Sequence, residues 1–161
     1  GKNLATRARA FGMRVVAFDP YFNQAFANQH GIEQMTLDET IETADFLSLH
    51  VPLTKETKYM IGEQAIARIK KGAFIINTAR GGLVDEAAAA SALKSGKLGG
   101  IGLDAYEVEP VTDSPLLGLD HVVMTPHTGA HTNEAIAGMG IMAAQNLIDV
   151  LQGKDCKYKI V

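Results

Sequence analysis

Ala73-Phe74-Ile75-Ile76-Asn77-Thr78-Ala79-Arg80-Gly81-Gly82-Leu83-Val84-Asp85-Glu86 is the stretch whose reading decides the fold. Its first four residues form a short apolar run, the pattern of a strand buried on both faces. A turn with one arginine and two glycines follows, and Asp85 can cap the Ala-rich helix that ends near Gly96. Strand, loop and helix repeat in both directions from here. Upstream, Leu4, Ala5, Ala8 and Phe11 recur at helical spacing, and Gly12 suits a left-handed cap. Val15-Val16-Ala17-Phe18 is a buried-type strand stopped by Asp19-Pro20. A helix is expected from Asn23 to His30, closing at Gly31, and Thr36 with Glu39 forms a capping-box signature for a helix carrying Leu37 and Ile41. Phe46-Leu47-Ser48-Leu49 is the next strand, broken at Pro52, and a helix from about Glu63 to Lys70 leads into the opening stretch. Downstream, Gly100 to Leu103 and His121 to Met124 are strands, and a long helix fills Asn133 to Leu151. Strands that alternate with helices, each strand nearly all apolar, predict a doubly wound α/β domain with a parallel sheet covered on both faces.

Composition narrows the function. The chain has 161 residues and a mass of 17.2 kDa, the size of one ordinary domain. Its net charge of −3 and pI near 5.9 argue against a nucleic-acid or anionic-membrane surface. Apolar residues make up 47% and charged residues 20%, which suits a packed core rather than disorder. Cys156 is the single cysteine, so no internal disulfide can form, and a reducing, cytoplasmic setting is expected. The longest apolar helical run, Ala135 to Ala144, falls well short of the ~20 apolar residues that a membrane span needs.

In doubly wound sheets ligands bind beyond the carboxyl ends of the strands, so the residues just after each strand are the ones to read for chemistry. Asp19 ends the first strand, where an acid can accept hydrogen bonds from ribose hydroxyls and repel a 2′-phosphate. It also reads as a turn aspartate ahead of Pro20. Gly1, 18 positions earlier, stands where the third glycine of a G-x-G-x-x-G fingerprint would open a helix, but that fingerprint is otherwise missing. Arg80 can grip a carboxylate bidentately with glycines behind it that allow close approach, or it can be a surface arginine before a turn. Glu109 and His127 follow adjacent strands and can form an acid/base pair, a carboxylate orienting an imidazole, or be two unrelated loop residues. His50 ends the Phe46 to Leu49 strand and can line the same cleft. His127 and His131 are four apart, but the intervening Gly129 and the preceding Pro126 oppose a helix and no third ligand is evident, so no metal site is expected. The serines lack a nucleophile-elbow context.

These segments together resemble the NAD-dependent D-2-hydroxyacid dehydrogenase family, most closely its phosphoglycerate dehydrogenase-like members. The resemblance rests on Phe11-Gly12-Met13 with Phe18-Asp19-Pro20, on Leu49-His50-Val51-Pro52-Leu53-Thr54, and on Ile76 to Glu86. It continues through Leu103-Asp104-Ala105-Tyr106-Glu107-Val108-Glu109-Pro110 and Thr125-Pro126-His127-Thr128-Gly129-Ala130-His131-Thr132. It implies a Rossmann-type fold, NAD as cofactor, and a small 2-hydroxy or 2-oxo acid as substrate. At the matching positions Arg80 would bind the substrate carboxylate, His127 would exchange the C2 hydroxyl proton, and Glu109 would hold His127. Asp104 would fix the nicotinamide carboxamide, Asp19 would bind the ribose, and Val51, Pro52, Thr78 and Ala79 would line the cofactor cleft. Gly1 would be what remains of the glycine fingerprint. The resemblance also implies a separate substrate-binding domain, so residues 1–161 are expected to be a cofactor domain truncated at its N-terminal edge. The first strand and two fingerprint glycines would be absent, and the fragment would be inactive alone. A homodimer is possible on the same grounds. An NAD-sensing corepressor of the same fold is the alternative; a formate dehydrogenase is disfavoured because that branch has Gln where this chain has Glu109.

Overall fold

The computed structural model describes residues 1–156 and 158, and the chain divides into two compact units, Gly1–Pro126 and His127–Val161. The first unit runs α1 (Lys2–Ala10), β1 (Val15–Ala17), α2 (Gln24–His30), β2 (Ile32–Gln34), α3 (Leu37–Thr43), β3 (Phe46–Leu49), α4 (Glu63–Arg68), β4 (Ala73–Asn77), α5 (Glu86–Lys94), β5 (Leu98–Leu103) and β6 (Val122–Met124). Every strand pair is parallel, as the alternation with helices requires, so the α/β expectation holds.

The ladders fall into two groups, β1-β2 and β3-β4-β5-β6, rather than one continuous sheet. In the larger group the register aligns Phe46 with Phe74 and Gly100, and it aligns Leu49 with Asn77 and Leu103. Leu103 in turn pairs with Met124. One row, Leu49–Asn77–Leu103–Met124, therefore marks the carboxyl end of all four strands. A register shift follows Ala73, and a side chain at Gly99 would meet the Gly72 carbonyl oxygen at 2.3 Å, so glycine is needed for β5 to approach β4 this closely.

One core cluster joins Leu47, Leu49, Ala73, Ile75, Ile101 and Leu103 of the sheet to Ile41 of α3, Ile66 of α4 and Ala89 of α5. The opposite face is less covered than its apolar composition predicts. Phe46 and Phe74 stay exposed and stack on each other with ring centroids 5.2 Å apart, and Val123 of β6 is also exposed. Within this unit the three helices pack on one side of the strands, and the aromatic pair shields only part of the other.

Local chemistry sets the helix ends. Thr36 Oγ1 accepts from the Glu39 backbone N–H at 3.2 Å, and Glu39 Oε2 accepts from the Thr36 N–H at 2.8 Å, completing the capping box. Asp85 Oδ1 accepts from the Ala87 and Ala88 N–H groups at the start of α5. The helix α4 stops at Arg68, two residues earlier than expected, because Ile69 turns to extended backbone. His121 lies outside β6 with a φ of 63°.

The Thr36 backbone N–H and, after it, the Thr36 hydroxyl, which donates to Glu39 Oε2 at 2.8 Å and is lost in alanine, hold the Glu39 carboxyl below its ordinary value of 4.5. A carboxyl with a lowered folded value stabilises the fold above that ordinary value, and the contribution disappears as pH falls through the folded one. Thr36→Ala is expected to cost about 1 kcal/mol, to lower the melting temperature by roughly 2–4 °C at neutral pH, and to lose less at pH 3. Thermal melts at both pH values check this.

The second unit contains α6 (Asn133–Leu151), with Thr132 Oγ1 capping the Ala135 N–H. Its boundaries match the sequence pattern. Ile136, Met139, Ile141, Met142, Leu147 and Leu151 are all exposed. Among the described residues no helix is long and apolar enough to cross a membrane.

Candidate functional site

The candidate residues leave the sheet from the row Leu49–Asn77–Leu103–Met124. Val51 and Pro52 follow β3, Thr78, Ala79 and Arg80 follow β4, and Asp104 and Glu109 follow β5. Asp19 follows β1, in the two-stranded ladder.

Two of these loops are locked together. Asn77 is 1% exposed, and its amide folds the loop that follows: Oδ1 accepts from the Ala79 N–H at 3.1 Å, and Nδ2 donates to the Arg80 carbonyl at 2.8 Å. The Asn77 carbonyl accepts from the Asp104 N–H at 3.0 Å, joining the loop after β4 to the end of β5. Gly81 then packs against the Tyr106–Glu107 peptide. A Cβ there would lie 1.8 Å from the Tyr106 oxygen and 2.5 Å from the Glu107 nitrogen.

The Asp104–Glu109 segment is held in several places. The Tyr106 N–H donates to Glu109 Oε1 at 3.0 Å. The Tyr106 phenol donates to the carbonyls of Thr125 at 2.6 Å and Leu103 at 3.1 Å, tying the ends of β5 and β6 together, and burial pushes this phenol's pKa up. Asp104 is 7% exposed and accepts from Thr125 Oγ1 at 2.5 Å. The buried Glu86 carboxylate at the start of α5 accepts from Ser114 Oγ at 2.5 Å and from the Glu107 N–H at 3.4 Å. Glu107 itself accepts from the Tyr59 hydroxyl at 2.7 Å. A cavity of about 290 Å³ lies beside these groups, lined by Tyr59, Asp85, Glu86, Glu107, Asp113 and Ser114 among others, on the α5 side of the loop.

Arg80 is exposed, and its Nη1 donates to the Ala79 carbonyl at 2.6 Å. Gly1 caps α1, and a Cβ there would touch the His50 ring at 3.8 Å, so the start of α1 meets the end of β3. His50 Nε2 lies 3.0 Å from Ser48 Oγ, and partial burial of its imidazole lowers its pKa. Asp19 Oδ1 accepts from the Tyr21 N–H at 2.8 Å, which fixes the side chain in an Asx turn and leaves Oδ2 as a further acceptor. Glu109 belongs to the first unit, whereas His127 opens the second, at a φ of 53° and four residues ahead of His131, whose N–H donates to Thr128. Left-handed backbone is uncommon for a residue with a side chain, and such positions concentrate where function constrains the chain. Among the described residues no group of three His, Cys, Asp or Glu is arranged to hold a metal ion.

Sequence reading missed Asn77, Gly81, Tyr106 and Thr125 as supports of the candidates. Asn77 alone left a local signal, an Asn at a strand end that can form an Asx turn. The others act through contacts between distant segments.

The donor set suits NAD. Asp19 offers a carboxylate acceptor at a strand end, as ribose hydroxyls require. Comparison with known proteins agrees. Residues 1–129 match the model of the D-isomer specific 2-hydroxyacid dehydrogenase NAD-binding domain. D-3-phosphoglycerate dehydrogenase of Methanocaldococcus jannaschii is 46% identical over 155 residues, covering 96% of this chain and 30% of the relative. The apo-structure of D-lactate dehydrogenase from Escherichia coli aligns with a TM-score of 0.88 at 36% identity, over 99% of this chain and 50% of that one. D-lactate dehydrogenase from Aquifex aeolicus, complexed with NAD and lactic acid, aligns at 0.88 with 32% identity, over 95% of this chain and 50% of that one. The chain thus spans 30% of the length of this curated relative and half of these solved structures. Its fold, its match to the family model and its NAD-type donor set agree: the chain belongs to the D-isomer specific 2-hydroxyacid dehydrogenase family, as an NAD-binding domain.

Proposed function

We propose that this domain serves an oxidoreductase that interconverts a D-2-hydroxy acid and a 2-oxo acid with NAD(H), in the manner of phosphoglycerate dehydrogenase. Residues 1–161 are the cofactor domain of a longer chain, whose other segments supply the substrate-binding domain and the remaining strand and glycines of the dinucleotide fingerprint. The observation that carries this reading is the shared row Leu49–Asn77–Leu103–Met124, from which the loops of Val51, Thr78–Arg80 and Asp104–Glu109 all depart. A parallel sheet that ends in one row offers its ligand several loops at once.

Asp19 binds the adenosine ribose and disfavours a 2′-phosphate, while Gly1 lies at the pyrophosphate end of α1. Val51, Pro52, Thr78 and Ala79 form the walls of the cleft, and Asp104 fixes the carboxamide. When bound, NAD(H) supplies the hydride acceptor or donor for the substrate's C2. Arg80 holds the substrate carboxylate by paired charge-assisted hydrogen bonds. During reduction of the oxo acid, His127 gives its proton to the C2 oxygen; in the reverse direction it takes that proton back. Glu109 is the carboxylate assigned to orient the imidazole. A cytoplasmic homodimer completes the proposal; the single cysteine fits a reducing compartment.

Steady-state assay of the full-length protein with NADH and a panel of 2-oxo acids tests this. Turnover with NADH and little with NADPH is expected, and tight NADH binding without turnover would point to a sensing module instead. Arg80→Gln is expected to raise the KM for the oxo acid about a hundredfold, the loss of roughly 3 kcal/mol of paired charge-assisted bonding. An unchanged KM would make Arg80 a surface residue.

A further inference from the structure

We infer that Asn77 is a positioning residue for Arg80, and this rests on the reading that Arg80 grips the substrate carboxylate. Asn77 is the last residue of β4, inside the four-stranded ladder, paired with Leu49 on one side and Leu103 on the other. A polar residue at that depth costs free energy unless its amide is satisfied, and both ends of this amide are spent on the loop ahead of it.

The two bonds do different things. Acceptance from Ala79 closes an Asx turn directly after the strand. Donation to the Arg80 carbonyl pulls the arginine's own backbone back over that turn, so the side chain leaves from a point fixed to the rigid sheet rather than from a free loop. The Asn77 carbonyl, bonded to the Asp104 N–H, sets the same point relative to the β5 loop. Gly81 against the Tyr106–Glu107 peptide closes the other side. Arg80 is itself exposed, and its guanidinium donates to the adjacent Ala79 carbonyl, a bond within the same loop that does not tie the side chain to the sheet. The direction of the side chain therefore depends on how the backbone beneath it is held. Misplacing a binding group by an ångström is enough to cost orders of magnitude in rate.

Two variants of the full-length protein separate the bonds. Asn77→Ser retains an acceptor that can close the turn but cannot reach the Arg80 carbonyl; Asn77→Ala removes both. Each is expected to raise the KM for the 2-oxo acid by about tenfold or more, and in Asn77→Ser, which keeps the turn at Thr78–Ala79, NADH affinity stays within about twofold of wild type. In an Arg80→Gln background the same changes are expected to add almost nothing, because they act through the arginine. Full additivity on that background, or an unchanged KM in folded variants that bind NADH, would overturn the inference. If Arg80→Gln itself leaves KM unmoved, the carboxylate reading fails, and amide exchange decides the positioning claim. The Ala79 N–H should be protected in wild type and in Asn77→Ser and exchange fast in Asn77→Ala, whereas equal exchange in all three would refute it. Should Asn77→Ala fail to fold, the Asn77→Ser kinetics and the double variant decide the same question.

Discussion

The expected result of His127→Gln in the full-length protein is a fall of about a thousandfold in kcat, with NADH affinity within about twofold of wild type. Positioned acid–base catalysis contributes roughly 10²–10⁴-fold, and glutamine can still hydrogen-bond a hydroxyl but cannot exchange a proton with it near neutral pH. Because the imidazole acts on the reacting oxygen, kcat and kcat/KM should fall together rather than KM rising alone. That separates it from Arg80, whose loss weakens binding of the carboxylate. His127 also sits in left-handed backbone, with a φ of 53°. Glutamine has no advantage there over histidine, so thermal melts should accompany the kinetics, and a variant that melts with wild type but retains full turnover would remove His127 from the mechanism.

Gly81→Ala carries the second large effect, and it comes from packing rather than chemistry. The new Cβ would lie 1.8 Å from the Tyr106 oxygen and 1.9 Å from its carbonyl carbon, both backbone atoms. No rotamer change relieves such a contact, so one of the two loops must move. Overpacking of this kind costs about 3 kcal/mol, which lowers the melting temperature of a chain this size by roughly 6–12 °C. The displaced loops carry Arg80 on one side and Glu109 on the other, so activity should fall by about a hundredfold even below the new melting temperature. The comparison is alanine at Gly140 on α6, which would meet no atom within 4 Å and lies in helical backbone without a positive φ. That change is expected to be neutral or slightly stabilising. A Gly81→Ala protein with wild-type stability and activity would mean that the loops do not meet as described.

Much of the architecture was legible because it is written locally. The Thr36–Glu39 box, the Asp85 cap and the limits of β3 and α6 follow from neighbours within a few residues. The strand β2 was missed because three residues, two of them Glu33 and Gln34, make no apolar run, and pairing with β1 alone defines them. The start of β5 was hidden for a related reason. Gly99 and Gly100 give no propensity signal, yet their lack of side chains is what admits the strand beside Gly72 and Phe74. The open face with Phe46 and Phe74 was unreadable too, since an apolar strand looks the same whether or not a helix covers it.

The site divides the same way. Asp19, Arg80 and Glu109 were legible because residues after strands in this fold are where ligands bind, and Asp104 through the family resemblance. Asp19, Arg80 and Asp104 lie within three residues of a strand's carboxyl end, and Glu109 lies farther along the loop after β5. What holds them was not legible. Tyr106 bonds to Thr125, Glu86 to Ser114, and Gly81 packs against a peptide more than twenty residues later. No local spacing encodes contacts of that range.

The most direct test of the proposed reaction follows the hydrogen itself. The full-length protein would be given NADH carrying deuterium on the transferable C4 position, together with a short 2-oxo acid, and the hydroxy acid formed would be examined for label and configuration. One deuterium at C2 of the D isomer is expected, with almost no labelled product from His127→Gln or from the corresponding NADPH. An L product, a hydroxy acid without deuterium at C2, or NADH binding with no product at all would contradict it.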